Sequence, residues 1–305
     1  DEWGRNIMDK ASGKYLSPSG DGNVQLSFIE RLSYGQLDLA GQLVFCVISN
    51  YLLYFYTDIA KLPVATAGVV LLIARLFDGI DAPIWGTLID HTSTKWGRAR
   101  PYFLWLAVPF TIFGIMTFWA PQIGMTSRII YCAITYIVTG ILYTGLNTPL
   151  TAILPLLTTN SDERLKLNSW RMTGGQIGVL IVNAGTLPLV AWLGSGDDVK
   201  GFRLTIIIFA LIGCFLTLFS FRHLKERVNV TAQKTSVKDG IHAMKRNWPW
   251  LIIVISNFFY WIALTERNST LVYYFTYYFH NKGLVTLFNT MSSIQILAMI
   301  SKFLL

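Results

Sequence analysis

The sequence has few charged residues and few cysteines for its length. Of its 305 residues, 14% are charged and 53% are hydrophobic, whereas a typical soluble domain has about 25% charged residues. The cysteines, Cys46, Cys132 and Cys214, are odd in number and lie in apolar stretches, which argues against a disulfide framework. The histidines lack metal-ligand spacing, and no glycine-rich segment has the ending of a phosphate loop. We therefore predict a membrane protein without a metal site or an organic cofactor.

Long apolar runs recur along the chain, and each is near the roughly 20 residues that a helix needs to cross a bilayer. We predict eight membrane-spanning helices, at Ser33–Thr57, Val64–Asp90, Pro101–Ala120, Arg128–Pro155, Asn168–Leu193, Phe202–Phe221, Pro249–Phe279 and Leu284–Leu305. The last run stops without a flanking loop, so we expect the chain to be a fragment of a longer protein. The predicted fold class is an all-α membrane protein.

Positive charge is distributed unevenly between the predicted loops. If the N-terminus is inside, the outer loops hold only Lys61, Arg128, Lys200, Arg203 and Lys282, and the other loop lysines and arginines are cytoplasmic. Such asymmetry is the usual orientation signal of short loops. We therefore predict a multi-pass protein of a bacterial plasma (inner) membrane with a cytoplasmic N-terminus. In this interpretation the basic residues set the orientation in the membrane and do not bind nucleic acid. No obligatory protein partner is evident from the sequence.

A polar segment divides the predicted helices into two groups. Residues 222–248 are charged and poor in large apolar side chains, which is typical of a linker. We assign residues 1–32 to a polar cytoplasmic segment, 33–221 to an N-terminal six-helix bundle, and 249–305 to the truncated start of a second bundle. The first span ends in YLLYFYTD and the seventh in LVYYFTYY, a similarity expected if the two bundles are repeats.

The second span contains ionisable residues inside a predicted membrane helix. Arg75, Asp78 and Asp81 recur at three-residue spacing and therefore share one helical face. Because a charge near the middle of a membrane costs at least about 2.5 kcal/mol, such residues normally face an interior cavity. We interpret this face as a cation or proton site. The structural alternative is an Arg75–Asp78 ion pair that only joins helices.

A second charged cluster follows at the cytoplasmic end of the same span. Gly86 and Asp90 end the helix, and Gly97, Arg98 and Arg100 follow in a short basic loop. The carboxylate and the arginines are close enough in sequence to pair across a tight turn. We predict a gating loop in which this pairing forms in one conformation.

Several segments together resemble one family of membrane transporters. Residues 86–90 (GTLID) followed by 97–100 (GRAR) resemble the loop signature of the major facilitator superfamily between helices two and three. More narrowly, RLSYG, YLLYFYTD, ARLFDGIDAPIWGTLID, KWGRARPY, NTPLTAILP and RNSTLVYYFTYY resemble the glycoside–pentoside–hexuronide:cation symporters, whose best known member is melibiose permease. The resemblance implies the major facilitator fold, with twelve helices in two bundles, of which about four would be absent from this chain.

The resemblance also implies a cation site. The family uses two acidic residues and a polar neighbour on helix two with a threonine on helix four, and the corresponding residues here are Asp78, Asp81, Ala82 and Thr144. Asp78 and Thr144 fit this pattern, but Ala82 lacks the second carboxylate. A sodium ion needs several oxygen ligands, whereas a proton needs one carboxyl group. We therefore expect coupling to H⁺ in preference to Na⁺, with Arg75 and Asp81 taking part.

The family's sugar-binding residues correspond to Gln42, Tyr143, Asn147 and Arg171, on helices one, four and five. Gln42 and Asn147 stand where the family has acidic residues, and amides hydrogen-bond hydroxyl groups less strongly than carboxylates do. Asp38 precedes Gln42 by about one turn and is placed to reach the same cavity. The resemblance thus implies uptake of a sugar or glycoside with a cation by alternating access.

Three other functions fit parts of the sequence. The first is an uncoupled carrier of another small solute. A transporter-like membrane sensor would signal through the basic linker and would need a signalling domain elsewhere. A membrane-embedded enzyme would use Asp78 and Asp81 as acid and base, but no nucleophile or metal ligand lies beside them in the sequence.

Overall fold

The computed structural model describes residues 26–119, 121–228, 247–281 and 283–301. Within these ranges the chain forms eight long helices: α1 (Phe28–Tyr54), α2 (Val64–His91), α3 (Arg100–Thr117), α4 (Met125–Ala152), α5 (Ser161–Gly194), α6 (Asp198–His223), α7 (Trp248–Tyr273) and α8 (Gly283–Ser301). A short helical turn, Leu154–Leu157, lies between α4 and α5. Each predicted span coincides with one of these helices.

Several helices begin before the predicted span because polar capping residues start them. Ser27 caps α1, and the side chain of Glu30 completes a reciprocal capping box with it. Asn160 caps α5 and Asp197 caps α6, each through a side-chain oxygen that accepts backbone N–H groups of the first turn. Hydropathy detects only the apolar part of each helix, so these polar first turns lie outside the predicted spans.

Among the described residues, four helices are long and apolar enough to cross a membrane by length and composition: Phe28–Ile59, Met125–Ala152, Ser161–Gly194 and Asp198–His223. Helix α2 has 28 residues and carries Arg75, Asp78 and Asp81 near its middle. The charged residues of α5 lie instead in its first third, and those of α6 lie near its two ends. Helix α2 continues as a helix through Pro83. Charge in the middle of a membrane helix is consistent with a functional role.

Helix α1 lies at the centre of the first six helices. It packs against α5 and α6, while α3 packs against α4 and α6, and α2 packs against α4. The closest approach is between α1 and α5, where a Cβ atom on Gly174 would lie 2.1 Å from the carbonyl oxygen of Gly35. Of the remaining helices, α7 packs against α1 and α8 packs against α5. We refer to α1–α6 as the first half and to α7–α8 as the second half.

The first helices of the two halves end in the same unusual backbone. Five-residue π-helical segments, Phe55–Ile59 and Tyr274–Tyr278, follow α1 and α7, and each is followed closely by a non-glycine residue at positive φ, Lys61 at 58° and His280 at 51°. Because π-helical segments are rare, their recurrence within the similar octapeptides supports the interpretation of the halves as repeats. We call the region formed by Tyr54–Ile59 and Tyr273–Phe279 the aromatic end.

Candidate substrate and cation sites

The five residues predicted to bind a sugar lie together where α1, α4 and α5 meet. Asp38, Tyr143 and Asn147 line one small cavity of about 20 Å³, which has room for about one water molecule. The side chain of Gln42 hydrogen-bonds to Asp38, and Arg171 is near enough for its charge to act on Asp38. In this conformation the side chains of the cluster bond to one another, and the cavity beside them is too small for a sugar.

Glycine residues on α5 allow the polar face of α1 to approach. A Cβ atom on Gly175 would lie 3.0 Å from Oδ2 of Asp38, and one on Gly178 would lie 3.0 Å from Cβ of Gln42. On α1 itself, a Cβ atom on Gly41 would lie 3.3 Å from the ring of Tyr143. We call the five residues predicted to bind a sugar the substrate cluster. Larger residues at the glycine positions would push this cluster apart, so the sequence SWRMTGGQIG sets its geometry.

A larger cavity of about 200 Å³ lies on the other side of Tyr143. Its wall contains Arg75 and Thr144, two of the residues predicted to couple a cation. Phe45 also lines it and stacks on Tyr143 with ring centroids 4.2 Å apart. Aromatic faces pack well against the C–H faces of a sugar ring, so this cavity provides an apolar surface next to the hydrogen-bonding cluster.

The structure brings together only some of the predicted cation residues. Thr144 hydrogen-bonds to the carbonyl oxygen of Gly140 (3.2 Å), and Arg75 is exposed at the same cavity. Asp81 is buried, with 7% of its surface exposed. The side chain of Asp78 lies outside the described residues. Within the described part of the chain, no group of three or more His, Cys, Asp or Glu residues could hold a metal ion.

The loop predicted to act as a gate is bound by a carboxylate outside the predicted site. Oxygens of Glu226, which follows α6, accept hydrogen bonds from the backbone N–H groups of Arg98 (2.8 Å), Ala99 (2.9 Å) and Arg100 (2.9 Å). Gly97 has a φ of 112°, and a Cβ atom there would lie 2.4 Å from the Glu226 carboxyl carbon. Glycine at position 97 is therefore required both by the backbone and by the carboxylate.

Asp90 does not form the predicted pairing in this conformation. It is exposed, while the guanidinium group of Arg100 donates to the carbonyl oxygens of Phe221 (2.8 Å) and Trp96 (3.4 Å). A Cβ atom on Gly86 would meet open space, so no close contact there requires glycine. Glu226 takes the place expected for Asp90, because the fold returns the end of α6 to the loop before α3.

Ion pairs between distant segments also hold this end of the bundle together. Arg227 pairs with Glu30 (2.5 Å), and Arg31 pairs with Glu163 (2.9 Å). The sequence SFIE, a capping-box signature, could have identified Glu30. Arg31, the less exposed partner of Glu163, and the partners of Glu226 are instead more than 100 residues away from these carboxylates in sequence. We call the region formed by Ser27–Arg31, Glu163, residues 92–99 and residues 224–228 the charged end.

Comparison with known proteins identifies the family. The chain matches the family described as MFS/sugar transport protein over residues 33–304. It is 38% identical over 275 residues to the isoprimeverose transporter of Lactiplantibacillus pentosus, which covers 89% of this chain and 57% of that protein. It is 34% identical over 282 residues to an uncharacterized symporter of Bacillus subtilis (strain 168), covering 90% of this chain and 60% of that protein.

A third relative is a provisionally named glycoside/cation symporter of Escherichia coli (strain K12), with 31% identity over 265 residues, covering 87% of this chain and 58% of that protein. The chain thus spans somewhat more than half the length of these relatives. The resemblance seen in the sequence segments is confirmed, and so is an all-helical fold that is a fragment of a major facilitator chain. The chain is a membrane protein with bacterial relatives, and it belongs to the MFS/sugar transport protein family, among the glycoside–pentoside–hexuronide:cation symporters of the major facilitator superfamily.

Proposed function

We propose that the complete protein is a secondary active transporter that takes up a sugar or glycoside together with a cation by alternating access. The observation that supports this most directly is the cluster of Asp38, Gln42, Tyr143, Asn147 and Arg171 at the junction of α1, α4 and α5. Carboxylate, amide, phenol and guanidinium groups supply both donors and acceptors for sugar hydroxyl groups. The relatives described above are named as transporters and symporters, not as enzymes.

The substrate class follows from the two adjoining surfaces. The hydrogen-bonding cluster is next to the aromatic wall of the larger cavity, and a sugar presents hydroxyl edges and C–H faces that match these two surfaces. The isoprimeverose transporter of Lactiplantibacillus pentosus makes isoprimeverose the first compound to test. The N-terminus is cytoplasmic in this proposal, because the charged end then faces the inside of the cell.

The coupling ion in this proposal is H⁺. Ala82 has no side-chain oxygen, and it is exposed, so α2 supplies fewer side-chain ligands than the pattern of the family would place there. Arg75 faces the cavity that contains Thr144, and its positive charge would repel a metal cation there. A single carboxyl group on α2, with Asp78 first and Asp81 second, would bind and release the proton.

The test is uptake of radiolabelled isoprimeverose and related glycosides into proteoliposomes containing the full-length protein. We expect accumulation when a pH gradient is imposed in sodium-free buffer, and no accumulation by Asp78→Asn, which should retain exchange of substrate down its gradient. Accumulation driven only by a sodium gradient would contradict proton coupling. Equilibration without accumulation under either gradient would identify an uncoupled carrier, and the absence of any uptake would contradict the proposed transport function.

A further inference from the structure

Buried polar side chains join the two halves of the chain at a point where α1, α5 and α8 meet. Asn183 on α5 donates to Oγ of Ser293 on α8 (2.7 Å) and accepts from Nδ2 of Asn50 on α1 (2.8 Å). Asn50, Asn183 and Ser293 expose only 8%, 7% and 2% of their surfaces. Asn183 therefore forms hydrogen bonds to both halves at once, inside the protein.

Besides Asn50 and Ser293, the side chain that bonds to Asn183 among the described residues is the thiol of Cys46 on α1, a weak donor 3.8 Å from Oδ1 of Asn183. Its neighbour Val182 and Val285 on α8 are fully buried apolar residues. A second acceptor, the carbonyl oxygen of Asn289, lies 3.5 Å from Nδ2 of Asn183 and also belongs to α8. A buried amide that loses its partner pays the full desolvation penalty of the unpaired group. Helix α8 therefore cannot slide along α5 without a new set of partners for this amide.

The same contacts connect α8 to the helix that bears the substrate cluster. Asp38 lies against Gly175 of α5, Gln42 lies against Gly178, and Asn50 bonds to Asn183 of the same helix. Asn50 is therefore on the side of α1 that faces α5, as Asp38 and Gln42 are, and it is about two turns beyond Gln42. A displacement of α8 that disturbs Asn183 reaches α1 through Asn50.

We propose that Asn183 is a positioning residue of the transport cycle. It holds α8 in register against α1 and α5 in the conformation described here, and the halves rearrange only when its bonds to Ser293 and Asn289 are exchanged. Buried polar groups that fix one register between helices have this effect in other helical assemblies. The inference rests on the proposed alternating-access function and adds the residue that sets the balance between its conformations.

The test measures the distance between the halves in the full-length protein without substrate. Spin labels at Trp192 on α5 and Leu287 on α8, which are 75% and 57% exposed, report the separation after Cys214 is replaced by serine. We expect Asn183→Leu and Ser293→Ala to shift the ratio of the two distance populations by about fivefold for each hydrogen bond between the halves that the variant loses. The double variant should shift this ratio no further than Asn183→Leu alone does, because both substitutions remove the same Asn183–Ser293 hydrogen bond.

Kinetics separate positioning from a general structural role. The rate of net transport should change in both variants. The apparent dissociation constant for substrate should change by no more than the measured shift in the distance populations, since Asn183 is outside the substrate cluster. The matched control is Thr186→Val, because Thr186 is fully buried on the same helix but its hydroxyl group, among the described residues, bonds to the carbonyl oxygen of Val182 (2.6 Å) and not to α8. This control should leave the distances unchanged.

The outcomes distinguish this inference from the proposed function. Unchanged distances in folded Asn183→Leu and Ser293→Ala would overturn the inference even if transport continued. If Asn183→Leu does not fold, Ser293→Ala decides alone, since it removes one hydroxyl group and leaves the Asn50–Asn183 bond in place. Shifted distances in a protein that transports nothing would support the positioning role of Asn183 between the halves and contradict the transport function.

Discussion

The charged end and the aromatic end of the first half are held together in different ways. At the charged end, Glu30, Glu163 and Glu226 bind groups of the first half or of the residues directly after α6. At the aromatic end, the contacts cross between the halves: the hydroxyl groups of Thr57 and Tyr273 are 2.8 Å apart, and the Tyr277 hydroxyl group donates to Asp58.

This difference matches what the proposed alternating access requires of each region. Charge-assisted hydrogen bonds within one half favour movement of that half as a rigid body. The contacts between the halves must instead form and break during a cycle. The Thr57–Tyr273 contact is neutral and therefore weak, whereas the Tyr277–Asp58 contact is charge-assisted and is the stronger of the two. The first residues of the linker therefore act as part of the first half. The predicted boundary at residue 222 marks a change in sequence composition, while residues 224–228 still pack against the first half.

The largest effect should come from Gly97, where two requirements coincide. Gly97→Val places a branched side chain at a φ of 112° and against the Glu226 carboxylate. Strain of about 1–3 kcal/mol adds to the loss of hydrogen bonds to Arg98, Ala99 and Arg100, so we expect a destabilisation of more than about 3 kcal/mol. Thermal unfolding in detergent measures this effect.

Gly86→Ala is the control for Gly97, because a Cβ atom on Gly86 meets open space within a helix. We expect this change to be neutral or stabilising by up to about 1 kcal/mol. Equal destabilisation by both substitutions would show that the charged end does not depend on the contact between Gly97 and Glu226.

Glu226→Ala should have the next largest effect. It removes the acceptor of three backbone N–H groups at the start of α3, and because the site is half-buried, water replaces part of the loss. We expect a destabilisation of about 1–3 kcal/mol and a slower transport rate. Lys225→Ala, at an exposed neighbouring residue, should change neither quantity. A stable Glu226→Ala protein with normal transport would contradict the rigid charged end.

The sequence predicted the helices well and the contacts between their ends less well. Apolar periodicity and length place α1–α8, because burial in lipid requires long uninterrupted helices. The sequence also predicted that Gln42 and Asn147 lie close together, since they occupy positions of a recognised pattern; their role in sugar binding stays a prediction. Pairing at the charged end depends instead on where the chain returns after α6, and no local pattern in the sequence links Glu226 to Gly97.

The role of the predicted cation residues stays a prediction. Arg75 and Thr144 line one cavity, which agrees with their predicted proximity, but the sequence could not show that Tyr143 lines both this cavity and the smaller one beside Asp38. Tyr143 stacks on Phe45, and this is a packing contact of two helices whose residues are about 100 positions apart in sequence.

A smaller effect is expected from the aromatic end. Tyr273→Phe removes one hydroxyl contact to Thr57 and leaves the ring in place, so about 0.5–1.5 kcal/mol of stabilisation between the halves is lost. We expect the distance between spin labels at the exposed residues Val64 and Tyr278 to increase in part of the population. Tyr131→Phe is the control, because its hydroxyl group bonds within the first half, to the carbonyl oxygen of Met116.

A lower unfolding temperature without any change in this distance would contradict the prediction for Tyr273→Phe. The aromatic end would then stabilise the fold in the same way as the charged end, and the contrast between the two ends would be lost.

The smallest effect should come from Lys166, which tests whether every ion pair at the charged end matters. Its ammonium group lies 3.2 Å from Glu163, but its side chain is 59% exposed, compared with 25% for Arg31, the other partner of Glu163. Water and salt screen an exposed pair, so we expect Lys166→Ala to lower the free energy of unfolding by less than about 0.5 kcal/mol. Arg31→Ala should cost more, because Glu163 is 4% exposed and would lose its better shielded partner. Thermal unfolding at low and high salt separates the two cases: a Lys166→Ala effect as large as that of Arg31→Ala, and equally sensitive to salt, would show that the charged end is stabilised by overall charge balance and not by its buried carboxylates.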